Sequence, residues 1–129
     1  MHILRIVGVW TLQILVGSMF VMVGVMKFVD PMWPRMFARW GYPDGFYMVV
    51  GVLEAAGGIA VLVPRLTTYA ALLLVTVMAG AALTHAIAGE TQRLGVPIVY
   101  LLAAAVLGWL RRRSALHLRT SRVERRAMV

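Results

Sequence analysis

The chain contains no cysteine, and acids are scarce: five Asp and Glu against thirteen Lys and Arg in 129 residues. The first absence excludes disulfides and any thiol chemistry by the chain itself, and leaves its compartment open. The second gives a net charge of +8 and a pI near 11.4, which could suit nucleic acid. The basic residues, however, gather after the last apolar run, from Arg111 onward. That is the usual cytoplasmic flank of a membrane protein, so the expected partner is the lipid bilayer and its anionic lipids, not nucleic acid. Haem-ligand pairs, a dinucleotide fingerprint, internal repeats and low-complexity tracts are also missing. Within the apolar runs, one histidine and one carboxylate are too few for a metal site.

What is present is apolar sequence. At 61% hydrophobic, 14% charged and a mean hydropathy of +0.83, the chain is too apolar for an ordinary soluble domain and too short for more than one domain. A soluble helical bundle would alternate polar and apolar stripes, whereas these segments are apolar on every side. The expectation is an all-α, four-helix transmembrane bundle over 1–110, followed by a basic cytoplasmic tail, 111–129.

The first span is expected over Ile6 to Met26. Arg5 before an apolar run also resembles a signal peptide, but the run is too long and no small-x-small cleavage site follows. Gly17 and Gly24, seven residues apart, share one face and mark close packing. Asp30 before Pro31 reads as a helix start, and Gly41 with Pro43 as a stop. Between them Trp33, Met36, Phe37 and Trp40 recur at i, i+3, i+4 and i+7, with Arg35 and Arg39 opposite. This is the pattern of a short amphipathic helix in the headgroup plane, its aromatic face toward the acyl chains. It could act as a lid over the bundle or as an anchor alone.

The second span, Phe46 to Val63, holds one acid, Glu54, at its middle. An acid at hydrocarbon depth costs about 2.5–3.5 kcal/mol on insertion scales, so Glu54 should face other helices, a partner or a water-filled pocket. Gly51, Ala55 and Gly58 make a small-residue face beside it. Pro64, Arg65 and Leu66 leave room only for a tight reversal into the third span, Thr67 to about Ala88, with Ala71, Met78, Ala82 and His85 along one stripe. The fourth span is expected from Val96 to Leu110, with a start before Val96 as one way to gain length.

With four spans, Arg5, Arg65 and the seven arginines after Leu110 fall on one side, against Lys27, Arg35, Arg39 and Arg93 on the other. Nine against four puts both termini in the cytoplasm. Lys27, His85 and Tyr100 then lie near the outer ends of three spans, and Glu54 deepest, about 12 Å in at 1.5 Å per residue. Each of the first three also has a plain structural role, as a snorkelling end charge, a helix-end residue or a belt aromatic. Glu54 could serve as a functional acid or as half of a salt bridge with Lys27.

Gly24-Val25-Met26-Lys27 closing the first span, Asp30-Pro31, Trp40-Gly41-Tyr42-Pro43, Glu54, Pro64-Arg65 and His85, in that order and spacing, resemble the small DoxX-like members of the DoxX family. The resemblance covers roughly residues 10 to 110, and the basic tail lies outside it. It implies a four-helix protein of a bacterial cell membrane. Because the family takes its name from a subunit of a thiosulfate:quinone oxidoreductase, it also hints at quinone-linked redox work.

Two classes of function follow. In one, the chain is a redox accessory or quinone-site subunit: Glu54 and His85, with Lys27 and Tyr100, hydrogen-bond a quinone head group and relay protons, while a redox partner protein carries the electrons. In the other, it is a noncatalytic scaffold or a bundle that binds lipid or a small solute, with Glu54 and Lys27 as a structural pair. Transport is a variant of the second, and four short spans would then call for a homo-oligomer.

Overall fold

In a computed structural model that describes residues 2–113 and 123–128, the chain is all-α. Its helices are α1 (His2–Val29), α2 (Met32–Arg39), α3 (Phe46–Val61), α4 (Thr67–Ile87) and α5 (Gly95–Leu110), with a 3-10 turn at Thr91–Arg93. Three stretches, His2–Val29, Thr67–Ile87 and Thr91–Leu110, are long and apolar enough to cross a membrane. At 16 residues α3 is an apolar helix of shorter reach, about 24 Å at 1.5 Å per residue.

The expected run to Val63 is cut short at Val61 because Pro64 disfavours helical geometry in the residue before it. Leu62 and Val63 instead close tight turns onto Ile59 and Ala60. At the other end of the bundle α5 begins at Gly95, so the 3-10 turn and the helix run on almost without a break. Most of the expected basic tail, including His117, lies outside the described residues.

The four long helices form a ring in which α1 packs on α3, α3 on α4, α4 on α5, and α5 back on α1. The core that they enclose includes Val16, Phe20, Val61, Leu74, Ala104 and Leu107. The outer surface is just as apolar, with Ile14, Leu72, Val99 and Trp109 exposed. A chain that is apolar both inside and out has lipid for its solvent.

Glycine sets the closest approach, between antiparallel α1 and α3. A Cβ on Gly24 would stand 2.6 Å from the Gly51 carbonyl oxygen, and one on Gly58 would stand 2.7 Å from that of Gly17. Both partners are backbone and cannot give way, so these positions hold two helices at near-contact. The two rungs flank the level of Glu54.

Where the helices end, glycine has a different use. Gly41 and Gly89 take left-handed φ values of 86° and 74°. In each case the following N–H returns to a carbonyl five residues back, Tyr42 to Phe37 and Glu90 to His85. This closure reverses the chain over its own last turn. It brings Glu90 beside His85 and Tyr42 beneath α2.

Candidate functional site

At the α2 end the ring opens into a cavity of about 500 Å³. Lys27, Glu54, His85 and Tyr100 all line it, one from each long helix. Only one pair among them is joined by a hydrogen bond. Lys27 Nζ donates to Glu54 Oε2 at 2.7 Å, and both side chains are almost fully buried. The Gly24 and Gly51 rung permits this contact, because it draws α1 and α3 close one turn away. The Lys27 ammonium also sits 4.2 Å from the centre of the Trp33 ring, a cation–π contact that shields its far side.

His85 does not reach Glu54. Its Nδ1 lies 2.8 Å from Glu90 Oε2, while the Trp40 indole N–H donates to Glu90 Oε1 at 3.3 Å and the Trp40 ring stands edge-on to the imidazole at 5.2 Å. The hydrogen bond from His85, together with the one from Trp40 and the charge of Arg93, holds the Glu90 carboxyl below its ordinary range. With Nδ1 committed to Glu90, Nε2 is the ring nitrogen left for a ligand. Tyr100 packs edge-on against Phe20 at 5.5 Å between centroids.

The roof is α2. The expected orientation put its aromatic face toward acyl chains, but Met36 and Phe37 are buried, and Trp33 and Trp40 line the cavity beside them. Phe37 stands at the centre of an aromatic cluster with Trp40, Tyr42 and Phe46. Inward burial prevails because these rings find one another there, along with a hydrogen-bond partner for the indole N–H. The start of α2 also differs by one residue from the expected Asp30 cap: Pro31 occupies the cap position, yet the Asp30 carboxylate still accepts from the Met32 N–H at 2.9 Å.

Three ties fasten this roof to the α4–α5 side. They are Trp40 to Glu90, Tyr42 Oη to Thr84 Oγ1 at 2.5 Å, and Arg93 to the Met36 sulfur at 3.2 Å. Sequence reasoning overlooked Glu90, Tyr42 and Thr84 as members of the site. The available signal was an acid next to Gly89 in a chain that has few acids.

The residue types suit small-molecule binding: mostly apolar walls, a few convergent polar groups and a volume within the usual range for ligand pockets. Among the described residues no three His, Asp or Glu side chains gather as a metal would require. Residues 11–107 match the DoxX-like family. The chain belongs to the DoxX-like family. Neither the curated proteins nor the solved structures gave a match. The matched region takes in Lys27, Glu54, His85, Tyr100 and the α2 roof, so the candidate site of this DoxX-like protein falls within the family region.

Proposed function

We propose that this DoxX-like protein binds the head group of a quinone-class molecule in the cavity beneath α2, as an accessory subunit whose redox partner carries the electrons. We place it in a bacterial cell membrane with four crossings and both termini in the cytoplasm, the charge asymmetry of the loops supporting that orientation. The fourth crossing is α3, which is extended at its C-terminal end by Leu62 and Val63 and matched to the bilayer by local thinning.

One observation carries this reading: a buried acid and its lysine partner stand in the wall of a cavity of ligand size. Glu54 uses only Oε2 in the bond to Lys27, and Oε1 has no hydrogen-bond partner among the described residues. A quinone carbonyl needs a donor, which Lys27 and Tyr100 supply. Its reduced form needs an acceptor, for which Glu54 Oε1 and His85 Nε2 are available.

The test is titration of the detergent-purified protein with a short-chain quinone. Wild type should bind it, and Glu54→Gln should weaken binding by about tenfold or more, the loss of one charged hydrogen-bond partner. Failure of wild type to bind or retain any quinone would remove the proposal.

A second reading has its own support, since Trp33 and Lys27 enclose the carboxylate as they would in a purely structural strut. In that case Glu54→Gln lowers thermal stability, and no quinone affinity exists to be lost.

A further inference from the structure

The cavity has two edges at which its lining residues are exposed. One is formed by Gln92, Arg93 and Val96, on the rim beside α2. The other is formed by Thr76 and Gly80 on α4, where the neighbouring helix α3 contributes the half-buried Val50 and Leu53 to the same cavity lining. The first edge sits under the roof, where Arg93 reaches the Met36 sulfur.

The second edge lies well down the helix. Gly80 is seven residues before Ile87, the last residue of α4, or about 10 Å along the axis.

The packing of α3 on α4 changes along their length. Deep in the bundle, a Cβ on Gly57 would stand 2.8 Å from Leu74 Cδ2, so the two helices interlock there. Two turns higher, a Cβ on Gly80 would meet nothing within 4 Å. Small side chains continue past that point, with Ala81 and Thr84 along the cavity and the Thr76 hydroxyl satisfied by the Leu72 carbonyl on its own helix. Above this gap, Tyr42 is tied to Thr84 and stacks on Phe46, which closes the top. The result is a window between α3 and α4, closed above by aromatic side chains and below by Leu74, at a depth where the surroundings are hydrocarbon.

We propose that this window is a lateral portal through which a membrane-dissolved ligand enters and through which its hydrocarbon tail remains extended into the bilayer. The portal rests on the proposed quinone site and narrows its substrate class to tail-bearing, lipid-soluble molecules. The roof explains why entry is lateral: α2 and its three ties cover the direct approach from water. A head group moving sideways from the bilayer meets Gly80 and Ala81 first and the Lys27–Glu54 pair last.

The test uses two probes, a quinone with a long isoprenoid tail and the same head group without a tail, each titrated against wild type and Gly80→Leu in detergent. Gly80 is helical and faces open space, so leucine is accommodated, and unchanged elution and melting would verify the fold. The affinity ratio between the tailed and tailless probes should fall by about tenfold in Gly80→Leu. An unchanged ratio would overturn the portal and leave the head-group site standing. No binding of either probe by wild type would remove the site and the portal together.

A tailed quinone carrying a photoreactive group on its tail gives a second, independent readout. Crosslinks should map to Val50, Leu53, Val77 or Gly80. Crosslinks confined to 92–96 would overturn the portal and assign entry to the rim.

Discussion

Among the described residues, the buried polar groups at the Pro64 end of the bundle and the Lys27–Glu54 pair toward the α2 end are built in opposite ways. At the Pro64 end, Gln13 and Thr67 are both 0% exposed. Gln13 Nε2 donates to the Val61 carbonyl at 2.8 Å and lies 3.2 Å from Thr67 Oγ1, whose hydroxyl in turn faces the Val61 and Val63 carbonyls at 2.8 and 3.0 Å. Arg111 Nε completes the cluster by donating to Gln13 Oε1 at 2.9 Å. These side chains do the work of backbone amides. The last carbonyls of α3 lose their helical partners at Pro64, and in a dry interior something else must satisfy them. At the α2 end, by contrast, the Lys27–Glu54 pair caps no helix, leaves Glu54 Oε1 free and stands beside empty volume. Buried polarity in a membrane bundle is therefore not one signal. The Gln13–Thr67 cluster completes the end of α3, with Arg111 Nη2 at its edge buried and without a partner among the described residues, whereas the Lys27–Glu54 pair beside a cavity is the proposed place for a ligand.

The largest effect expected from breaking this comparison comes from removing one charge of the pair. Lys27→Met leaves Glu54 buried without its partner and should destabilise the bundle by about 3–5 kcal/mol, whereas the double variant Lys27→Met/Glu54→Leu should recover most of that loss. Denaturant or thermal unfolding in detergent would measure both. If the double variant is no more stable than the single one, the cost comes from lost packing and not from an uncompensated charge.

A smaller effect is expected at the opposite end. Gln13→Leu removes one of the two donors to the Val61 carbonyl and the acceptor of Arg111 Nε, and should cost about 1–3 kcal/mol. Because Gln13 is remote from the cavity, quinone affinity should stay at the wild-type level. The clusters would then separate cleanly: Gln13 changes stability alone, and Glu54 changes affinity. A loss of affinity in Gln13→Leu would show that the two ends are coupled through α1.

How far the sequence shows this difference depends on what each residue needs. Glu54 stands out because one acid in an apolar run has few places to go, and Lys27 follows as the nearest cation of the right depth. The glycine spacing, seven residues on α1 and seven on α3, is visible as a pattern, but that Gly24 meets Gly51 and Gly17 meets Gly58 depends on a register fixed by the loop. Gln13 is legible only as the lone amide in its run, since its partners are carbonyls that every residue carries. Depth along the spans alone makes His85 a companion of Glu54. Its partner is instead Glu90, reached through the left-handed turn at Gly89, a tertiary consequence that spacing along a helix does not reveal. The inward face of α2 was hidden for a similar reason: an amphipathic pattern tells which side is apolar, and not whether lipid or a cavity lies beneath it.

The smallest effect sits at the edge of the site, where Glu90 ties α4 to α2. His85, Trp40 and Arg93 are the groups that hold its carboxyl below the ordinary value. A carboxylate depressed in the folded state contributes its stabilisation fully above its unfolded value of about 4.3 and loses it as pH falls through the lower folded value. The tie should therefore be intact at neutral pH and weaken only in acid, below about pH 4.3. Amide exchange over 36–42 reads this directly: protection should be constant from neutral pH down to that range, once the intrinsic pH dependence of exchange is removed, and should then fall. Glu90→Gln should flatten the transition, because the amide still accepts from Trp40 yet has no proton to take up. Since the tie lies at the rim, within reach of water, global unfolding should hardly change, and the response should be confined to the roof. Loss of protection in acid that persists in Glu90→Gln would assign the opening of α2 to another group and leave Glu90 as a passive contact.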